Sequence, residues 1–168
     1  MIKKGKQLVT FLPGHHVEKD FFEKLWDDSW IYVKTVVNAG TEPVLILDKD
    51  FFVLAANKSF YRTFQVTKNE TEGSHFSQLG NRQWDIASLN RLLSKLLTSD
   101  TAFKGFEITR SFPTIGNKVM LLNARKMYYR KNPRSEKFLP VILLAIEDIT
   151  DLVSAAHSYA RKLSHQHE

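Results

Sequence analysis

Phe138–Ile146 is apolar on both faces. Successive residues of a strand point to opposite faces, so a strand of this composition has neither side in water. A fold that contains it must cover both faces of a sheet. Two alternating segments precede it. Phe103–Phe112 sets Phe106, Ile108 and Arg110 on one side. Lys118–Tyr129 sets Met120, Leu122 and Ala124 on one face and Val119, Leu121 and Asn123 on the other. Pro113-Thr114-Ile115-Gly116-Asn117 reads as the turn between them. Further upstream, Pro43–Leu47 and Phe51–Ala55 flank the polar Asp48-Lys49-Asp50, the pattern of a β-hairpin.

Helical spacing fills the remaining segments. Residues 1–17 hold no period and contain Gly5 and Pro13-Gly14, which makes them a loosely ordered lead-in. Over 18–39, Phe22, Trp26, Trp30, Val33 and Val37 line one face of an amphipathic helix, with Phe21, Leu25 and Ile31 widening it and Gly40 placed to stop it. Asn57 suits the cap of a helix whose inner face carries Phe60 and Phe64. Thr67-Lys68-Asn69-Glu70 has capping-box spacing, ended by Gly73. After Gly80, the residues Ile86, Leu89, Leu93 and Leu96 mark a further helix, which ends near Thr98-Ser99-Asp100. Ile149, Leu152, Ala156, Tyr159 and Leu163 then repeat as a heptad seam. The order is helix, two strands, short helices, three strands, helix. A doubly wound parallel sheet alternates strand and helix throughout, so this order predicts an α+β domain instead: five antiparallel strands with short helices on one face.

Composition excludes several kinds of chemistry. The chain has 168 residues and no cysteine, so disulfides, thiolate metal sites and thiol catalysis are ruled out. The longest purely apolar run, Val141–Ile146, is far shorter than a membrane span. No signal-peptide pattern follows Lys3, Lys4 and Lys6, and the expectation is a soluble, cytoplasmic protein. The seven glycines never stand two apart, so a Gly-x-Gly phosphate loop is missing. Neither Gly-x-Ser-x-Gly nor His-Glu-x-x-His occurs. No catalytic motif is found, and the expectation is that the chain is not an enzyme. His15-His16 and the His165/His167 pair lie near the chain ends without carboxylates around them, so no metal site is expected.

Net charge is +6, and it is concentrated. Between 125 and 137 stand six basic residues (Arg125, Lys126, Arg130, Lys131, Arg134, Lys137) and one acid, Glu136, for a local charge of +5. Tyr128 and Tyr129 interleave with them, a pattern that suits single-stranded nucleic acid. A solvated hairpin loop turning at Asn132-Pro133 is the simpler reading.

Four stretches, in this order, resemble a PAS domain over about 41–150. Pro43-Val44-Leu45-Ile46-Leu47-Asp48 leading into Ala55-Ala56-Asn57-Lys58-Ser59-Phe60 is similar to the family's opening hairpin and Asn-x-x-Phe helix. Gly80-Asn81-Arg82-Gln83-Trp84-Asp85-Ile86 and Met120-Leu121-Leu122-Asn123-Ala124-Arg125 resemble the sensor PAS domains of bacterial and archaeal histidine kinases. Ile146-Glu147-Asp148-Ile149-Thr150 resembles the Asp-x-Thr close of the last strand, after which 151–168 would be an output helix.

The resemblance implies a sensor or dimerisation module in signal transduction, relaying to a partner such as a histidine kinase. A second reading is the sensory front end of a kinase whose catalytic part is absent from this chain. A third, weaker one is a nucleic-acid-binding regulator using 125–137. Candidate pocket residues are Asn57, Phe60, Phe64, Trp84, Leu89, Leu93, Phe106, Met120, Leu122, Asn123 and Leu143. The same side chains would equally fill an ordinary core. No cofactor is required: cysteinyl-flavin chemistry is excluded, and the long helix lacks the histidine that haem-binding relatives use, leaving only His75 as a poor haem candidate. A homodimer is expected on Phe22, Trp26, Trp30 and Val33, extended by Leu152 and Tyr159, with Asp148 and Thr150 at the exit to the output helix.

Overall fold

The computed structural model describes residues 9–10, 16–17, 37–99, 102–130 and 136–164. The expected seam at Phe22, Trp26, Trp30 and Val33 lies outside the described residues, as do His15, His165 and His167. Two two-residue strands, β1 (Val9–Thr10) and β2 (His16–Val17), pair antiparallel within the expected lead-in. Turn-forming Pro13 and Gly14 stand between them in the sequence.

The main sheet is built from β3 (Val44–Leu47), β4 (Val53–Ala56), β5 (Phe103–Phe112), β6 (Gly116–Arg130) and β7 (Phe138–Asp148). These five strands are antiparallel, in the order β4-β3-β7-β6-β5. The doubly apolar β7 is the central strand. Ile142, Leu144 and Ile146 point into the main core, where each is fully buried. Val141 belongs to a second cluster with Ile46 and Ala55, against which Leu54, Tyr129 and Leu143 pack. The two clusters occupy opposite faces because residues of one parity share a side.

A register shift between Ile46 and Leu47 changes the pattern in β4. Ile46 pairs with Ala55 but Leu47 pairs with Val53, so Val53 joins the main core and Ala55 the outer cluster. The connecting turn is held by Asp48, whose Oδ1 accepts from the N–H groups of Asp50 (2.9 Å) and Phe52 (2.8 Å).

The inner face is covered by α1 (Lys58–Phe64), α2 (Lys68–Thr71), a 3-10 turn at Phe76–Gln78, a one-turn segment at Leu79–Arg82, and α3 (Ala87–Thr98). α1 and α2 start on the expected capping residues, whereas α3 starts at Ile86 without a side-chain cap. Asn57 caps α1, Thr67 and Glu70 form a complete capping box on α2, and Leu89, Leu93 and Leu96 of α3 are buried. Burying each such leucine contributes about 2 kcal/mol, so α3 is held by its inner stripe more than by propensity. The last helix, α4 (Thr150–Ser164), buries no residue.

Candidate functional site

Asn57 is 0 % exposed, and its amide is fully used. Oδ1 accepts from Val44 N–H and Phe60 N–H, each at 2.9 Å. Nδ2 donates to the carbonyls of Val37 (3.0 Å) and Glu42 (2.7 Å). Lys58 N–H donates to Asn38 Oδ1 and the Ser59 hydroxyl to Thr41 C=O nearby. Asn57 therefore joins the helical residues 37–39, the start of β3 and the start of α1. With all four valences satisfied, it is a structural pin with nothing left to offer a ligand.

Five rings pack beneath the helical layer. Trp84 lies 5.3 Å from Phe64, 5.4 Å from Phe76 and 5.6 Å from Phe112, centroid to centroid. Phe60 and Phe64 are 4.7 Å apart. Beside this cluster opens a cleft of about 320 Å³. Phe60, Phe64, Trp84, Phe112 and Ile115 form its apolar wall, and Thr71, Gln78, Asn81, Gln83 and Thr114 its polar rim. Glu70 is the one acidic residue among the described lining residues, and it is occupied. Its carboxylate accepts from Thr67 Oγ1 (2.7 Å) and Thr67 N–H (2.8 Å), and these bonds hold it below the usual carboxylate range. No lysine, arginine or histidine is among the described lining residues. Such a surface suits a small neutral molecule with one flat apolar face, and offers no counter-charge to an anion.

The rim owes its shape to an unusual backbone. Gly80 (φ 57), Asn81 (φ 57) and Arg82 (φ 65) are left-handed in succession. Glycine and asparagine take that region readily, whereas arginine is strained there by about 1 kcal/mol. Arg82 is anchored by its side chain, which reaches Asp85 Oδ2 at 3.1 Å, while Asp85 N–H returns to Arg82 C=O. This turn sets Gln83 on the rim and leaves Trp84 in the core.

The expected pocket residues divide into three groups. Phe60, Phe64 and Trp84 do line the cleft. Leu89, Leu93, Met120 and Leu122 are fully buried in the core, and Phe106 packs against it. Asn123 and Leu143 differ from the expectation. Leu122 and Ala124 point inward, as do Ile142 and Leu144, so the residues between them face outward. Asn123 instead serves a bulge in β5, where its Oδ1 accepts from Gly105 N–H at 2.9 Å. Leu143 packs with the outer cluster. His75 caps the 3-10 turn, its Nδ1 2.8 Å from Ser77 Oγ, and its ring sits edge-on to Phe51 and Phe52.

Close to the β5–β6 turn, where β6 begins and β7 ends, a second polar constellation sets the exit to α4. The Thr150 hydroxyl accepts from Val119 N–H (3.0 Å) and donates to Asp148 Oδ1, which also accepts from Thr150 N–H (3.0 Å). Ile149 N–H donates to Val119 C=O at 2.9 Å. Lys118 Nζ lies 2.8 Å from Asp148 Oδ2. Burial opposes ionisation of Asp148, but the bonds from Lys118 and Thr150 outweigh it and hold the carboxyl below its usual range. Beyond this joint, Leu152 (68 %) and Tyr159 (67 %) are exposed on one side of α4, together with Leu163.

No sequence-family model and no curated protein matches the chain. Solved structures do. The PAS domain of an HTR-like protein from Haloarcula marismortui superposes with a TM-score of 0.52 at 13 % identity, covering 78 % of this chain and 100 % of that one. The PAS domain of nitrogen regulation protein NR(II) from Vibrio parahaemolyticus gives 0.54 at 17 % identity, covering 70 % and 97 %. The phage VqmA-DPO complex gives 0.59 at 14 % identity, covering 84 % of this chain and 62 % of that one. The likeness is one of fold: an open five-stranded antiparallel sheet with helices on one face, as in PAS domains.

Proposed function

We propose that this chain, whose fold is that of a PAS domain, is a sensory and dimerisation module that relays a signal to a partner through α4. It works in this reading without catalysis of its own and without a resident cofactor. Leu89, Leu93, Met120 and Leu122, each at 0 % exposure, fill the core beside the cleft, which supports this reading. What carries the reading is the exit joint. The hydrogen bonds of Val119, Asp148 and Thr150 fix the first turn of a helix that presents Leu152, Tyr159 and Leu163 to solvent. A helix rooted in the sheet with an apolar stripe and no intramolecular cover among the described residues is suited to meet a second copy or a signalling partner such as a histidine kinase. The sequence-derived seam at Phe22, Trp26, Trp30 and Val33 supplies the main contact of the dimer, and α4 extends it.

Sedimentation at tens of micromolar tests this. The expected result is a dimer that shifts towards monomer in L152E/Y159E and in W26E/W30E. A monomeric wild type would overturn the dimer, and an L152E/Y159E protein as dimeric as the wild type would remove α4 from it. An absorption spectrum of the purified chain with bands beyond those of its aromatic residues would overturn the cofactor-free reading.

A further inference from the structure

The cleft and the exit joint share one element, the β5–β6 turn. Thr114 and Ile115 line the cleft from it, and Phe112 pairs with Gly116 to close it over three residues. Gly116 (φ 75) supplies the left-handed residue that so short a turn takes. Two residues further along β6 is Lys118, bonded to Asp148, and beside it Val119, bonded to Thr150. A three-residue turn between laddered strands has little slack, so a displacement of Thr114 is passed to the start of β6. The rim facing this turn is unpaired. The side chains of Gln78, Asn81, Gln83 and Thr114 make no hydrogen bond among the described residues, whereas Glu70 and Thr71 are both tied to Thr67. Three carboxamides and a hydroxyl offer donors and acceptors without charge. Apolar contact comes from Phe64 and Leu79, each 7 % exposed, and from half-buried Val66 and Ile115. At about 320 Å³ the cleft stands at the lower end of ligand pockets, with room for a molecule of one or two rings.

We propose that this cleft binds a small, flat, uncharged molecule carrying a carboxamide or lactam group, and that α4 reads its occupancy through the β5–β6 turn. On the sensory reading above, on which this assignment rests, the bound molecule is the signal. A carboxamide or lactam sets a donor beside an acceptor, as the side chains of Gln78, Asn81 and Gln83 do, so each of them can meet it with two bonds. A flat ring suits the wall formed by Phe64, Trp84 and Phe112. An anion finds no lysine, arginine or histidine among the described lining residues. A cation finds only Glu70, which already accepts two bonds from Thr67. The exposed Asn81 and Thr114 leave the rim open to solvent, so the molecule exchanges freely and is no resident cofactor.

Amide-resolved NMR of the full chain, titrated with nicotinamide, 2-pyridone and uracil, tests the assignment. Benzoate, flat but charged, and cyclohexanecarboxamide, an amide without a flat ring, are the controls. At about 5 mM, which fills most of a site whose Kd is about 1 mM, a neutral flat amide should shift the resonances of Gln78, Gln83 and Thr114. Those of Val119, Thr150 and the first turn of α4 should move with the same titration midpoint. The controls should bind roughly tenfold more weakly or not at all. Q78A/Q83A breaks no hydrogen bond within the described fold and should weaken binding roughly tenfold. K118M/T150V, and the milder T150V, should bind like wild type and lose most of the response in α4. Circular dichroism melts confirm that each variant is folded. No shift at the cleft with any of the three neutral amides would overturn the site, as would benzoate bound equally well or affinity unchanged in Q78A/Q83A. Shifts that stop short of α4 in the wild type, or that reach it undiminished in K118M/T150V, would overturn the relay. Sedimentation separates this from the dimer. A dimer that takes no neutral amide keeps the module and loses the cleft, and a monomer that binds nicotinamide keeps the cleft and loses the dimer.

Discussion

The Lys118 ammonium lies 2.8 Å from the Asp148 carboxylate, thirty residues on in sequence, and ties the beginning of β6 to the last residue of β7. Asp148 hands the constraint to Thr150, and Thr150 hands it back to Val119. The start of α4 is thereby fixed to two strands at once. Thr150→Val keeps the branched shape and removes the hydroxyl, leaving Val119 N–H without its acceptor. The variant should lose about 1–2 kcal/mol of stability in urea unfolding. Amide exchange should accelerate at Val119 and in the first turn of α4 while the centre of β7 stays protected. Uniform acceleration across the sheet would contradict this division.

Acidity should act at the same joint. The folded-state pKa of Asp148 is depressed, so its contribution is fully present above the ordinary aspartate value and is lost as pH falls through the folded one. The stability difference between wild type and Asp148→Asn should therefore be constant above about pH 5 and shrink below it. The effect is small, because both side chains are partly exposed and screened by solvent. Urea midpoints measured across the acid range give the comparison. A difference that grew on acidification would reverse the assigned sign.

Asn57 is the most exacting position of the inner layer. Asn57→Leu would bury an apolar group of similar size and leave Val44 N–H, Phe60 N–H and two carbonyls without their partners. Each unsatisfied buried group costs about 1–3 kcal/mol, so the variant should lose at least about 3 kcal/mol. Asn57→Asp should be intermediate, since it keeps the acceptor and turns the two donor positions into repulsion with the Val37 and Glu42 carbonyls. Chemical unfolding ranks the three proteins. Equal stability would mean that solvent reaches the site.

Much of this architecture is legible in the sequence, because it rests on local patterns. The capping residues Asn57 and Thr67 stand where the helices begin, the leucine spacing of α3 names its buried face, and the apolar run of β7 demands a central strand. The cleft is less legible. Its lining comes from α1, α2, the Leu79–Arg82 turn and the β5–β6 turn, and no period links Thr71, Gln83 and Thr114. Only the Gly80-Asn81 pair signals the left-handed rim in advance. Lys118 as partner of Asp148 is set by the β6–β7 register, which spacing within a strand does not reveal. Asn123 and Leu143 show the opposite case. Strand parity places both outward once Leu122 and Leu144 are inside, and that rule outweighs the attraction of a polar or apolar side chain as a pocket residue.

The rim turn offers a test that separates strain from contact. Gly80 and Gly73 both have positive φ, 57 and 81. Alanine at either should cost about 1 kcal/mol or somewhat more, since a Cβ is disfavoured in that region. Their surroundings differ. A Cβ at Gly73 would meet nothing within 4 Å, whereas at Gly80 it would come 2.9 Å from Gln83 Oε1. That atom ends a flexible side chain, so Gln83 should swing aside without further large loss. Gly73→Ala and Gly80→Ala are therefore expected to be similarly destabilised in urea. Only Gly80→Ala should shift the side-chain amide resonances of Gln83 in an NMR spectrum and reshape the cleft that Gln83 borders. Resonances of Gln83 left in place by Gly80→Ala would mean that the turn relaxes through its backbone, and that the rim is softer than its three left-handed residues imply.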